Sequence, residues 1–398
     1  MRRCPSRLLR PRALALLALA ALASRALPAG AQTGYIAFGD SITEGRGDDP
    51  TRQLPGYPPR LQALLIGAGI PVTVKNAGLG GESTAEGLTR IDEVLAVAGP
   101  LDDVLLLMEG TNDFANHIGI ETTRFDLNAM AQKAEAKGMS VVHATTIPRL
   151  PDAKFDPDNV MNLTLNENIR DMAGRRSRTL ADPFEVFSSL PNLFDTYYYK
   201  PPTGQNDPVG HPNAAGYDKL AQLFFDELRD VDKVPPVPGI TNPLMAAEAV
   251  PPTSPITVDV WDFGAGIDLA ATRLLVNGTE VGVVPAGDSH HAQLNYVPTT
   301  SLAGIVRVAL RSRDLALPTA NTTDREVTRF IVAGTIILAG DVDRSGRVDG
   351  RDLVQFARHF GARKGDTLYL ALADFNADTV IDGSDLAQLA ANFGKQSF

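Results

Sequence analysis

Residues 35–45 read YIAFGDSITEG, and this stretch decides how the first part of the chain folds. An apolar run ends at a Gly39-Asp40-Ser41 corner, and a polar segment that can start a helix follows it. This order predicts a strand, a tight turn and a helix, with Ser41 at the carboxyl end of the strand. Open α/β sheets present their reactive groups at that end of their strands.

The same alternation continues to about residue 230. The predicted strands are Tyr35 to Phe38, Val72 to Asn76, Val104 to Met108, Ser140 to Thr146 and a fifth near Thr179. The predicted helices cover residues 57–68, 84–98, 125–137, 161–174 and 212–228. Strands that alternate with helices in this way predict a parallel sheet with crossover helices on both faces, which is an α/β domain.

The first 31 residues have the pattern of a secretory signal peptide: an arginine-rich start, an apolar stretch and a small-residue exit at Ala29-Gly30-Ala31. The apolar stretch is shorter than the roughly 20 residues that span a bilayer. We therefore expect a secreted protein, extracellular or at the cell surface, without a membrane span once this segment is removed. The only cysteine, Cys4, lies in the same segment, so the mature chain offers no thiol chemistry.

The composition changes twice in the rest of the chain, beyond the α/β region. Residues 234–255 contain seven prolines and predict an extended linker. Short alternating runs follow, with an Asn277-Gly278 hairpin signal, and predict a β sandwich that resembles immunoglobulin-like modules. The predicted parts are a signal peptide (1–31), an α/β domain (32–233), a linker (234–255), a sandwich (256–335) and a tail (338–398).

The formal net charge of −10 argues against a nucleic-acid partner.

Groups suited to acyl transfer follow the predicted strands. A serine needs a base, a group that orients the base, and donors for the developing oxyanion. Ser41 is the candidate nucleophile and His211, just before a helix, is the candidate base. Candidate donors come from the glycine-rich loop NAGLGGEST, with Gly78, Gly80 and Gly81, and from Asn112 in MEGTNDF. From the residues alone, Ser41 as a helix cap and His211 as a surface histidine stay open.

The blocks GDSITEG, NAGLGG, GTND and GHPN, in this order, resemble the SGNH (GDSL) hydrolase superfamily over roughly residues 33–230. The resemblance implies a flavodoxin-like three-layer α/β/α fold and a serine hydrolase that needs no cofactor for catalysis. It also implies Ser41 as nucleophile and His211 as general base. Gly81 and Asn112, together with the Ser41 N–H, would be the oxyanion donors.

One position departs from that family. The family carboxylate usually stands three residues before the histidine, but residue 208 is a proline and the nearest acid, Asp207, stands four before. The loop contains glycine and proline, and one extra residue in it would let Asp207 still reach His211. The alternatives are that a backbone carbonyl, or another acid such as Asp195, orients the imidazole.

The tail contains two copies of a loop–helix unit, DVDRSGRVDGRDLVQFARHFG from Asp341 and DFNADTVIDGSDLAQLAANFG from Asp374. Oxygen ligands at alternating positions are typical of EF-hand-type calcium loops. The first set of candidate ligands is Asp341, Asp343, Ser345, the Arg347 carbonyl, Asp349 and Asp352. The second set is Asp374, Asn376, Asp378, the Val380 carbonyl, Asp382 and Asp385.

The paired loops resemble type I dockerin domains over about residues 338–398. This implies structural Ca²⁺ and a cohesin-bearing partner. Thr379 stands where the first copy has Gly346, so the second loop must turn with a β-branched residue. The resemblances together imply a secreted esterase for small esters or acylated carbohydrates, such as acetyl esters of polysaccharides. The alternatives are a lipase or lysophospholipase, and a non-catalytic scaffold or adhesion protein with a decayed hydrolase domain.

Overall fold

The computed structural model describes residues 33–396 except 52, 100, 117, 150–156, 201–209, 336 and 367. The predicted signal peptide at 1–31 and the candidate acid Asp207 therefore lie outside the described residues. Within these ranges, every helix is too short or too polar to cross a membrane.

A five-stranded parallel sheet forms the centre of the first domain. Its strands are β1 Thr33–Gly39, β2 Val72–Gly78, β3 Asp102–Met108, β4 Ser140–Ala144 and β5 Thr179–Ala181. Their order in the sheet is β2-β1-β3-β4-β5, with every neighbouring pair parallel. This order is the flavodoxin-like one, which confirms the predicted α/β fold.

Helices cover both faces of this sheet. They are α1 Ser41–Glu44, α2 Tyr57–Gly67, α3 Thr84–Ala96, α4 Thr111–Ala115, α5 Ile120–Glu135, α6 Pro157–Arg175, α7 Pro183–Ser188, α8 Leu193–Thr196 and α9 Ala214–Glu227. Side chains of β1 alternate between the two faces: Ala37 packs with α2 and α9, and Ile36 and Phe38 pack with α3, α5 and α6. The result is one apolar core on each side of the sheet.

The register of the sheet aligns the ends of the strands that carry the predicted motifs. Gly39 of β1 pairs with Gly78 of β2 and with Met108 of β3. The segments that follow these three strands therefore start from the same edge of the sheet, side by side.

The second domain is a sandwich of two antiparallel four-stranded sheets. One sheet has the order β10-β11-β7-β6 and the other β13-β12-β8-β9. The strands are β6 Val237–Asn242, β7 Ile256–Trp261, β8 Arg273–Val276, β9 Thr279–Val281, β10 Ala286–Gly287, β11 His291–Tyr296, β12 Ile305–Arg313 and β13 Thr322–Ile331. The predicted hairpin is confirmed, because Asn277 and Gly278 both have positive φ between β8 and β9.

The proline-rich segment differs from the predicted free linker. Its residues Val237–Asn242 form β6, which pairs with β7. Since β6 is the edge strand of its sheet, Pro238 breaks no inner ladder. Arg170 of α6 donates to the Pro238 carbonyl at 2.9 Å, and the ring of Trp261 fills the space beside Gly174. The sandwich therefore packs directly on the α/β domain.

The tail has two helices, α10 Gly350–His359 and α11 Gly383–Asn392, and a 3₁₀ turn at Ala371–Ala373. Val348, Phe356, Ile381 and Leu389 belong to its small apolar core. The tail also touches the sandwich, where Arg307 of β12 donates to the Ser345 carbonyl at 2.9 Å.

Candidate active site and calcium loops

The corner after β1 places Ser41 at the start of α1. A side chain at Gly39 would lie 2.2 Å from the Met108 carbonyl, so only glycine fits against β3. Asp40 caps the helix, its Oδ1 accepting the Ile42 N–H at 2.8 Å. Because Asp40 takes the capping role, the Ser41 hydroxyl is available for another partner.

That partner is His211, whose Nε2 lies 2.8 Å from Ser41 Oγ. Both side chains are buried. Nε2 can accept the hydroxyl proton in the neutral imidazole, and this is the geometry of a nucleophile with its base. The sheet thus joins two residues that lie far apart in the sequence.

The GHPN block holds the histidine through its neighbours. Gly210 has a φ of +73°, and the His211 carbonyl accepts the Tyr199 N–H at 2.8 Å. Asn213 caps α9 by accepting the Gly216 N–H at 3.1 Å, while its amide donates to the Thr196 carbonyl at 2.9 Å. These hydrogen bonds hold the backbone of His211 and of Asn213, and thereby fix the position of the imidazole.

The glycine-rich loop after β2 passes beside the serine. A side chain at Gly80 would lie 3.8 Å from Ser41 Cβ, and Gly81 has a φ of +82°. The N–H groups of Ser41 and Gly81 donate to no acceptor in the described part of the chain. Asn112 donates from Nδ2 to the Glu82 carbonyl at 2.8 Å, so its amide lies against the same loop. The glycine-rich loop thus lies against both Ser41 and Asn112, and the oxyanion donors stay a prediction.

Sequence reasoning missed the pair that holds this loop. Arg90 of α3 donates from Nε to Glu82 Oε1 at 2.6 Å and from Nη2 to the Ala77 carbonyl at 3.0 Å. Its guanidinium also lies 4.2 Å above the Phe38 ring. Arg90 thereby ties both ends of the glycine-rich loop to the sheet. No local pattern marks it, because an arginine on a helix is ordinarily a solvated residue.

Buried acids form the floor beneath the crevice. Burial raises the pKa of Asp40 to about 6. Burial, with the Asp40 and Glu82 carboxylates close by, raises the pKa of Glu109 well above its usual range. Burial and these neighbouring carboxylates favour the protonated form of Glu109.

The proposed alternative acid does not reach the histidine. Asp195 binds Lys200 at 2.8 Å, and both side chains are exposed at the surface. The interpretation that Asp195 orients His211 is therefore wrong. Asp207 stays a prediction, since it lies outside the described residues.

The first tail loop gathers three carboxylates. One oxygen each of Asp341, Asp343 and Asp352 lies within 4.8 Å of the others. Burial, and the neighbouring carboxylates, raise the pKa of Asp341 and of Asp352 to about 6. Asp341 accepts the N–H groups of Ser345 and Gly346, at 2.8 and 3.0 Å, so the loop backbone fixes its orientation. These hard oxygen ligands fit Ca²⁺.

The other predicted ligands of this loop have protein contacts. Ser345 Oγ donates to the Arg347 carbonyl at 3.1 Å, which places two predicted ligands together. Asp349 caps α10 by accepting the Arg351 N–H at 2.8 Å. In the second loop Asp382 caps α11 in the same way, accepting the Ser384 N–H at 2.7 Å. These two aspartates are helix caps in addition to predicted ligands.

The second loop repeats the geometry of the first with two changes. Asp374 accepts the Asp378 and Thr379 N–H groups at 3.1 and 2.9 Å. Thr379 has a φ of +75°, close to the +84° of Gly346, which confirms the turn through a β-branched residue. The Tyr369 hydroxyl donates to Asp374 at 2.6 Å, and this bond raises the pKa of Tyr369 to about 12.

The first domain thus combines a flavodoxin-like sheet with a Ser41–His211 contact. Residues 37–219 match the GDSL-like Lipase/Acylhydrolase family, and residues 339–393 match the Dockerin type I domain. The chain therefore contains a GDSL-like lipase/acylhydrolase domain and a type I dockerin domain. Type I dockerin domains bind calcium and dock on cohesin partners.

Several known proteins are similar to the first domain. Esterase TesA of Pseudomonas aeruginosa is 35% identical over 131 residues, which are 33% of this chain and 62% of that relative. A lipase/acylhydrolase from Enterococcus faecalis is 21% identical, with a TM-score of 0.41, over 50% of this chain and 97% of its own. Axe2, an acetylxylan esterase from Geobacillus stearothermophilus, is 19% identical, with a TM-score of 0.40, over 50% and 95%.

Proposed function

We propose that this protein is a secreted serine esterase that hydrolyses carboxylic esters through an acyl-enzyme. The observation that carries the proposal is the 2.8 Å contact between Ser41 Oγ and His211 Nε2, at the edge of the sheet where the glycine-rich loop and Asn112 also lie. A nucleophile, its base and oxyanion donors are the groups that acyl transfer needs.

In the proposed reaction, Ser41 Oγ attacks the ester carbonyl while His211 Nε2 takes its proton. The N–H groups of Ser41 and Gly81 and the Asn112 amide donate to the negative oxygen of the tetrahedral intermediate. Collapse of that intermediate breaks the ester bond, and His211 returns the proton to the leaving alcohol. A water molecule, deprotonated by His211, then hydrolyses the acyl-enzyme and regenerates Ser41.

Acylated carbohydrates, such as acetyl esters of polysaccharides, are the substrate class that we propose. The support is the second matched domain, because a type I dockerin domain docks its enzyme on a cohesin partner. Partners of this kind hold enzymes outside the cell or at its surface. This agrees with the predicted signal peptide. Small soluble esters would be turned over by the same groups.

A lipase or lysophospholipase would use the same chemistry on a longer acyl chain. The sequence has no long apolar lid segment in residues 32–233, which favours short acyl groups. A decayed, non-catalytic domain would not need a serine and a histidine in hydrogen-bond contact. An acyl-chain series on the purified mature protein therefore separates the candidates, and we expect acetyl esters to be hydrolysed fastest.

Replacing either reacting group tests the mechanism. Ser41→Ala and His211→Ala should each lower kcat by roughly 10⁶-fold, as in serine proteases that lose either group. Ser188→Ala is a matched control, since Ser188 is exposed at the end of α7. Circular dichroism should show all three variants folded. Substantial turnover by a folded Ser41→Ala protein would refute the assignment.

A further inference from the structure

Three aspartates from separate parts of the chain meet where the α/β domain joins the sandwich. Asp232 follows α9, Asp262 directly follows β7, and Asp314 directly follows β12. One carboxylate oxygen of each lies within 4.8 Å of the other two. This junction cluster is separate from the tail loops and from the crevice of Ser41.

Two of the three aspartates are buried, and one of their oxygens lacks a partner in the described part of the chain. Asp262 is 1% exposed and Asp314 is 2% exposed. Asp262 Oδ1 accepts the Gly264 and Gly266 N–H groups at 3.0 and 2.6 Å, but its Oδ2 is buried and accepts no hydrogen bond. A buried carboxylate oxygen without a donor is costly, so its presence points to a ligand for that atom.

The loop after β7 is shaped around the Asp232 carboxylate. A side chain at Gly264 would lie 2.3 Å from Asp232 Cγ, so only glycine admits the acid there. The Ala265 N–H donates to Asp232 Oδ2 at 2.6 Å. The sandwich loop thus holds a carboxylate that comes from the end of the α/β domain.

The protein supplies no positive charge to balance the cluster. Within the described ranges, no lysine, arginine or histidine forms an ion pair with any of the three aspartates. The three acids, two of them buried, have backbone N–H groups and one side-chain amide as hydrogen-bond partners. They repel one another unless a cation or protons neutralise them.

We propose that Asp232, Asp262 and Asp314 bind one divalent cation of the calcium type, and that this ion joins the α/β domain to the sandwich. All three ligands are hard oxygens, which suit Ca²⁺ and leave out the nitrogen and sulfur ligands that favour zinc. A cavity of about 560 Å³ borders Asp232, and three further acids, Asp182, Glu227 and Asp230, line it.

The proposal is independent of the esterase reaction, because none of the three aspartates lies in the crevice. The ion would have a structural effect because its ligands come from both domains. The ion would bind the end of α9 to two strands of the sandwich, beside the Arg170 contact with Pro238. Binding to the folded state alone would stabilise the packing of the two domains.

The test uses the full chain with both tail loops disabled by Asp352→Asn and Asp385→Asn. Trp261 is the only tryptophan, it is buried, and it precedes Asp262 directly. Its fluorescence on Ca²⁺ addition, and its sensitisation of Tb³⁺ luminescence, therefore report on the junction. We expect a saturable response with one ion per chain, and a rise in the unfolding temperature of the sandwich.

Adding Asp262→Asn to this tail variant should weaken the response at least tenfold. It should also raise stability in chelator, because it removes one repelling charge without changing the shape. Asp324→Asn is the matched control, since Asp324 is exposed on β13 and pairs with Arg311. An unchanged response in a folded Asp262→Asn protein would overturn the proposal.

Metal analysis of the dialysed tail variant gives a second measurement that does not depend on the folding of the Asp262→Asn protein. One equivalent of calcium supports the site. No bound calcium, with no Tb³⁺ luminescence sensitised by Trp261, would mean that protons alone neutralise the three acids and would refute it.

Discussion

The α/β domain and the tail both bury acidic side chains, but they balance them differently. In the α/β domain an arginine pairs with two of the buried acids: Arg170 binds Asp182 at 2.7 Å and Arg90 binds Glu82 at 2.6 Å. In the first tail loop, Asp341 and Asp352 accept only backbone N–H groups. Side chains of the protein thus balance these acids of the first region, whereas the predicted Ca²⁺ would neutralise the acids of the tail.

The same contrast applies to how each site is assembled. The Ser41–His211 contact is made by the packed sheet, and it exists whenever that domain is folded. The predicted ligands of a tail loop lie within one short segment, and we expect so small a unit to depend on its predicted ion for folding. The two sites should therefore respond differently to substitution and to removal of calcium.

If the protein alone completes the catalytic centre, it must also orient the base. Asp207→Asn should then lower kcat by up to about 10⁴-fold, the loss seen when the aspartate of a serine protease triad becomes asparagine. Steady-state kinetics on an acetyl ester would measure this. Asp195→Asn is the control, because Asp195 binds Lys200 at the surface. A loss smaller than roughly tenfold in Asp207→Asn would favour a dyad.

Replacing an oxyanion donor should cause the next largest loss of kcat. Asn112→Ala removes a side-chain amide whose Nδ2 contacts the Glu82 carbonyl. We expect kcat to fall by about 10²- to 10³-fold with little change in KM, because the donor acts on charge that develops in the transition state. Asn116→Ala, at an exposed position just after α4, should leave both constants unchanged. A rise in KM alone would assign Asn112 to substrate binding instead.

Calcium removal tests the other half of the comparison. Chelation should unfold the tail, since an ion at 1,000 times its dissociation constant stabilises the bound state by about 4.1 kcal/mol. Helical circular dichroism and protease sensitivity beyond residue 338 would show the loss. Hydrolysis of a small soluble ester should continue, and a chain ending at residue 335 should behave alike. Inactivation with the α/β domain still folded would mean that the ion serves catalysis.

A chain cut near residue 235 is a poorer test of the same point. That cut would remove the carbonyl of Pro238, which accepts a hydrogen bond from the fully buried Arg170, and would expose the helix face beside Gly174. The sandwich therefore has to be kept in any truncation that measures the α/β domain alone.

Local patterns in the sequence were sufficient for some of these features and insufficient for others. The strand ending at Gly39, the Asn277-Gly278 hairpin and the paired tail loops each depend on residues that are close in the chain. The Arg90–Glu82 pair and the junction cluster of Asp232, Asp262 and Asp314 do not. Those contacts exist only after helices and domains have packed, and no spacing in the sequence marks them.

The proline-rich segment shows that a local pattern can also predict a feature that the folded protein does not have. Seven prolines between residues 234 and 255 are typical of an extended linker. An edge strand tolerates proline because one side of its backbone needs no partner. Whether such a segment is free or paired depends on whether a sheet edge is available, which is a property of the folded sandwich. Sequence composition is the same in both cases.

A proton is a third way to neutralise a buried acid. Glu167 of α6 is 1% exposed, and burial raises its pKa from 4.5 to about 8. Between those two values the folded state holds one proton more than the unfolded state. Stability should therefore fall as the pH rises, by about 1.4 kcal/mol per pH unit from this group, and level off above pH 8.

Glu167→Gln should remove that slope, because glutamine keeps the shape and stays neutral at every pH. The measurement is the free energy of unfolding in denaturant from pH 5 to about pH 8. Glu121→Gln is the control, since Glu121 is exposed and pairs with Arg124. Equal slopes in the wild type and in Glu167→Gln would mean that Arg170 and Arg325, which lower this pKa, keep Glu167 ionised. The α/β domain would then balance this acid with arginine, as it balances Asp182, and protonation would contribute nothing there.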